Sequence, residues 1–141
     1  MDRTMEYRSG LDGMVMLRAV VAPLLFWGAL VGGAAGAGYP GAACMTPLAW
    51  LLGCWIGTFV GRRSRSPFNR RILEAFLAGA LLGLFEGIIF YVLQRTMMPV
   101  RPDEQSKAMI LSMSIMLAGT VVCALLALAT SAMMVRRLRR L

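Results

Sequence analysis

SPFNRRILEAFLAGALLGLFEGIIFYVLQR, residues 66 to 95, is an apolar run bordered by arginines and interrupted near its middle by one carboxylate, Glu86. Between residues 72 and 94 the only charged side chains are Glu74 and Glu86. At about 1.5 Å per residue this stretch covers a hydrocarbon core of about 30 Å, so it reads as a membrane-spanning helix over residues 67–94. Ser66 is a good N-cap, and Pro67 suits the first helical position, where its missing N–H does no harm. Gly79, Gly83 and Gly87 recur every fourth residue and stack along one side as a flat groove that a neighbouring backbone can approach. Glu86 follows Gly79 by seven positions and Gly83 by three, which turns its carboxylate toward the same side. The expectation is that it faces protein, not lipid.

The same character runs through the whole chain of 141 residues, of which 58% are hydrophobic, with a mean hydropathy of +0.67. Soluble domains are about 45–50% apolar, and here the excess is gathered into long blocks. The fold class expected is therefore all-α and integral to a membrane, a single domain built as an antiparallel bundle of four transmembrane helices. The net charge of +8 does not indicate nucleic acid, because the arginines abut hydrophobic segments instead of interleaving with aromatics. The three cysteines, Cys44, Cys54 and Cys123, are scattered in apolar runs, and there is no histidine to complete a metal site. They read as small buried residues. The acidic residues of the N-terminal segment, Asp2, Glu6 and Asp12, argue against a transit peptide, so the first helix is expected to remain in the mature chain.

In chain order, Ser9 and Asp12 form an S-x-x-D capping box, and a first helix over about 11–38 is expected to lie on the membrane surface at its start and turn inward near Pro23. Gly28, Gly32 and Gly36 give it a ladder. A second helix is placed at about 41–61, kinked at Pro47, because a start at Thr46-Pro47 leaves it short for a bilayer. Gly53, Gly57 and Gly61 are its ladder. Residues 96–107 read as an exposed loop with two prolines. The fourth helix is expected over about 108–135, with Gly119, Cys123, Ala127 and Ser131 on one side, and ends in a basic tail, 136–141.

Twelve of the fifteen lysines and arginines fall on one side of this topology. They are Arg3, Arg8 and Arg18, then Arg62, Arg63, Arg65, Arg70 and Arg71 between the second and third helices, then Arg136, Arg137, Arg139 and Arg140. By the positive-inside rule both termini share the cytoplasmic side or its organellar equivalent. These arginines are candidates for contact with anionic lipid head groups or with a partner.

Four small-residue ladders exceed what four helices need to pack together, and the surplus points to other membrane protein subunits as partners. The candidate interface residues are Gly28, Gly32, Gly36, Gly53, Gly57, Gly61, Gly79, Gly83, Gly87 and Gly119. GALVGGAAG at 28–36 matches GALLGLFEG at 79–87 at five of nine positions, which fits two hairpins of one orientation and fits chance similarity of apolar sequence equally. Glu74 lies one turn from Arg70 and is expected to pair with it. Glu86 has no basic residue at its depth, so Thr58, Thr120 and Ser114 are its candidate neutral partners. A proton or cation site, or a basic residue of a partner subunit, are the alternatives. Enzyme chemistry is not expected. Lys107 is the only lysine, there is no histidine, and no base stands near the serines of the fourth helix. Met109, Met113 and Met116 form a stripe that reads as gap-filling, and no cofactor or metal is called for.

Phe59, Arg70 and the run Ala78, Gly79, Gly83 follow the order of an aromatic, an arginine and a small-Gly-x-x-x-Gly element. With four helices in a chain of this size, the sequence resembles the mitochondrial inner-membrane protein translocase channels, a family that includes an accessory subunit of respiratory complex I. Ile56 stands at the family's leading Gly or Ala, and Glu74 at its Asp. The resemblance implies a mitochondrial inner membrane location, which is preferred to a bacterial plasma membrane. The function expected is a non-catalytic accessory or assembly subunit of a membrane complex. The alternative is a small proton-coupled transporter or channel, a homo-oligomer using Glu86, whose carboxylate resembles the lone membrane acid of small multidrug exporters.

Overall fold

A computed structural model describes residues 12–38, 46–97 and 101–138. Among these every regular element is helical: α1 (Gly13–Gly36), α2 (Thr46–Ala49), α3 (Leu52–Arg63), α4 (Phe68–Met97), a single 3₁₀ turn (Pro102–Glu104) and α5 (Gln105–Leu138). Three of them, α1, α4 and α5, are long and apolar enough to cross a membrane.

The boundaries differ from the sequence expectation in four places. Residues 12–38 begin with Asp12, whose main-chain carbonyl accepts from Met16 at 3.0 Å and whose Oδ1 lies 3.5 Å from the Val15 amide, so the first described turn is held by Asp12; Ser9 lies outside the described residues. The helix then runs without interruption through the buried Pro23. The apolar stretch long enough to span begins at Gly13. In the second segment the helix is interrupted at Trp50 and Leu51, not kinked at Pro47, and the expected start at 41–45 lies outside the described residues. There Leu51, Gly53 and Cys54 donate to the carbonyls of Leu48, Trp50 and Leu51, three residues back, so the interruption is a tightened turn that still satisfies its amides. The expected fourth crossing is therefore not one continuous helix; α3 has 12 residues, about 18 Å at 1.5 Å each. Finally, both ends of the expected loop are helical, since α4 extends to Met97 and α5 starts at Gln105. At 34 residues, about 51 Å, α5 exceeds the hydrocarbon thickness and must tilt or project.

Helix directions follow from which glycines face which neighbours. Along α4, Gly79 faces Cys123 and Ala127, Gly83 faces Gly119 and Thr120, and Gly87 faces Met116, so α4 and α5 are antiparallel. Along α3, Gly53 faces Cys123, Gly57 faces Ala127, and Gly61 faces Ser131 and Met134, so α3 runs parallel to α5. The core fills this three-helix seam with Ile56, Val60, Ala75, Ala78, Leu82 and Ala127, and α1 joins it through Ala19 and Val20. A smaller cluster, Trp27, Val31 and Ala49 with Leu93, fastens the far half of α1. The most apolar windows of α1, α4 and α5 are only 28%, 39% and 22% buried, so most of their hydrocarbon surface points outward. Side chains such as Leu25, Phe26, Phe85, Leu117 and Leu125 form that outer surface. In water it would be a liability; against lipid tails it is the expected exterior.

Candidate functional site: the helix seam and its two buried carboxylates

Close approach at the seam is set by missing side chains. A Cβ at Gly53 would lie 2.7 Å from the Cys123 carbonyl oxygen, one at Gly79 2.6 Å from the same atom, and one at Gly83 2.5 Å from the Gly119 carbonyl oxygen. At Gly57 it would meet Thr130 Oγ1 and the Ala127 carbonyl, at Gly87 the Met116 side chain, and at Gly119 the Trp50 indole nitrogen, 2.6 Å away. Gly61 is looser, with Met134 Cβ at 3.3 Å. The obstacles at Gly53, Gly79 and Gly83 are backbone atoms, which cannot rotate away.

The ladder of α1 behaves differently. Nothing lies within 4 Å of a Cβ built at Gly28, Gly32 or Gly36, nor at Gly33. Gly32 and Gly36 are exposed, and α1 packs instead through Ala19, Pro23, Trp27 and Val31. Among the described residues the α1 ladder is thus not an interface within the chain. Four-residue spacing establishes that the glycines share a side; the bulk of Trp27 and Val31, on a neighbouring side, decides which side is turned inward.

Glu74 is fully buried and accepts from the Asp12 main-chain amide at 2.8 Å, the Ser64 hydroxyl at 2.5 Å and the Ser66 hydroxyl at 2.6 Å. The Ser66 amide donates to Ser64 Oγ at 3.1 Å, and Arg71 Nε donates to the Ser66 carbonyl at 2.6 Å. One carboxylate therefore ties the start of α1 to the α3–α4 connection and to the first turns of α4. The sequence reading placed Arg70 beside Glu74 and took Ser66 for a cap; it missed Ser64 and the Asp12 amide. The legible sign was two serines flanking an arginine just before Pro67 and two turns ahead of an otherwise isolated acid.

Glu86 is 1% exposed and points into the seam. None of its expected partners reaches it: Thr58 donates to the Trp55 carbonyl, Thr120 to Met116 and Ser114 to Ile110, each within its own helix. Backbone carbonyls three or four residues back are always within reach of a helical hydroxyl, and they win. The neighbour is Cys123, whose Sγ lies 3.9 Å from Oε2, while Oε1 has no partner among the described residues. Ser131 Oγ, also buried, is the other such atom.

Of the arginines, Arg62, Arg63, Arg65, Arg136 and Arg137 are exposed, Arg70 and Arg71 are half-buried, and Arg139 and Arg140 lie outside the described residues. Arg63 lies over the Phe59 ring at 6.0 Å, and Phe59 stacks on Trp55. No three His, Cys, Asp or Glu side chains gather as metal ligands among the described residues. No protein-family model matches the sequence, and no curated protein or solved structure matches it.

Proposed function

We propose that the chain is a non-catalytic, multi-pass subunit of a larger membrane protein complex, with the outer side of α1 as its docking surface for another helix. The observation that carries this reading is the α1 ladder, open among the described residues along Gly28, Gly32 and Gly36 while the ladders of α3 and α4 are filled by α5. Where helices meet in lipid, close backbone approach is a main source of association energy, because no hydrophobic force drives apolar surfaces together. In this proposal residues 46–63, about 27 Å long if wholly helical, complete a fourth crossing as a broken helix, and both termini lie on the basic side. Arg62, Arg63, Arg65, Arg136 and Arg137 then meet anionic lipid head groups. The family resemblance makes the mitochondrial inner membrane the first location to test.

Purification of the tagged full chain from its native membrane in mild detergent tests the reading. The expected outcome is a stable assembly with other membrane proteins that Gly32→Leu strips away while leaving the chain folded. A folded monomer with no companion overturns it.

A further inference from the structure

Glu86 is an acid that the fold buries without satisfying. Twelve residues along α4 from Glu74, about 18 Å, it lies deep within the apolar span. Among the described residues its Oε1 has no partner, and its Oε2 has only the distant Cys123 thiol. The same thiol lies 3.5 Å from the Trp50 carbonyl oxygen, at the interruption between α2 and α3. That carbonyl accepts from the Gly53 amide, and its second lone pair faces the Cys123 thiol. A carboxylate and an irregular main-chain carbonyl thus converge on one thiol inside the helix bundle. Interrupted helices beside a membrane-embedded carboxylate supply oxygen atoms that can replace the water around a small cation.

Among the described residues the surroundings offer no competing counter-charge. From α5 the titratable group beside Glu86 is Cys123, and from α3 it is Cys54, close enough to Cys123 to interact with it electrostatically. In the described part of α1 and its cap the charged residues are Asp12 and Arg18, toward the Glu74 end, and α2 has none. Among the described residues no three acid, thiol or imidazole side chains gather here as a divalent transition metal requires. A monovalent cation needs only one negative charge.

We propose that Glu86, with the Trp50 carbonyl and the Cys123 thiol as its neighbours, is a binding site for one exchangeable monovalent cation, either a proton or a sodium ion. The site does not depend on the chain being a subunit of a complex.

Dicyclohexylcarbodiimide, an apolar reagent that reacts with protonated carboxylic acids, tests the site on the full chain in liposomes, with the labelled peptide located by mass spectrometry. Labelling of Glu86 is expected in acidic buffer, with loss as the buffer becomes alkaline. If the ion is sodium, sodium chloride protects Glu86 at constant pH where choline chloride does not; equal labelling in the two salts identifies the proton. Glu86→Gln should lose the label, and if that variant fails to fold, the pH and sodium responses of the native chain decide alone. Absence of label on Glu86 throughout, or label insensitive to both pH and sodium, overturns the proposal.

Discussion

Gly83 stands where the backbones of α4 and α5 come within contact, with Thr120 Cα 2.6 Å from the place a Cβ would take. Because this atom and the Gly119 carbonyl oxygen are both main chain, relief requires the helices to separate. Gly83→Leu should therefore lower stability by about 1–3 kcal/mol or more, read as a loss of thermal stability in detergent. Ile88→Leu, at a position 44% exposed, should leave the melting temperature unchanged. Equal behaviour of the two variants would mean the ladder does not carry the contact. Cys123 makes the complementary point. It was legible only as a small buried residue, yet it touches Glu86, because α5 presents it on the same side as Gly119 and Ala127, where the two filled glycine ladders converge.

Among α1, α3, α4 and α5, α1 has the fewest attachments: the Glu74 tie at its start, Ala19 and Val20 in the seam, and the Trp27–Val31 cluster. Glu74→Ala leaves the Asp12 amide and two hydroxyls without their acceptor, a cost on the order of 2–4 kcal/mol. The expected result is faster hydrogen exchange at the amides of Asp12 to Ala19, with the α4–α5 pairing unaffected. Ser64→Ala removes one donor to Glu74 and the acceptor of the Ser66 amide but keeps the Asp12 and Ser66 bonds to the carboxylate, so it should produce a smaller effect at α1 in the same direction. Exchange unchanged in Glu74→Ala would show that α1 is held by its apolar contacts alone. For α3 the interruption at Trp50 could not be read from the sequence, since no glycine or proline stands at Trp50 or Leu51. What the tightened turn achieves is tertiary: it lays the Trp50 indole over Gly119.

For the molecule as a whole, the basic residues make topology testable. Reporters fused at either terminus should be found on one side of the membrane, and a reporter inserted between Gly38 and Thr46 on the other; termini on opposite sides would leave residues 46–63 short of a crossing. Anionic phospholipid should raise thermal stability in mixed micelles, and the triple change of Arg62, Arg63 and Arg65 to Gln should remove most of that gain. No change in the variant would place those arginines away from the head groups. The spans of α1, α4 and α5 were legible because a run of apolar residues must bury its own backbone hydrogen bonds in lipid, and helix is the local solution. That Glu86 avoids lipid was legible too, from its spacing to Gly79 and Gly83. Periodicity fixes which residues share a side of a helix, and so it yielded all the ladders. It does not say which side meets a neighbour, and that was decided by packing among helices distant in sequence. Thus the ladder of α4 is filled by α5, the equally regular ladder of α1 is left open, and Glu74 is satisfied by Asp12, 62 residues away.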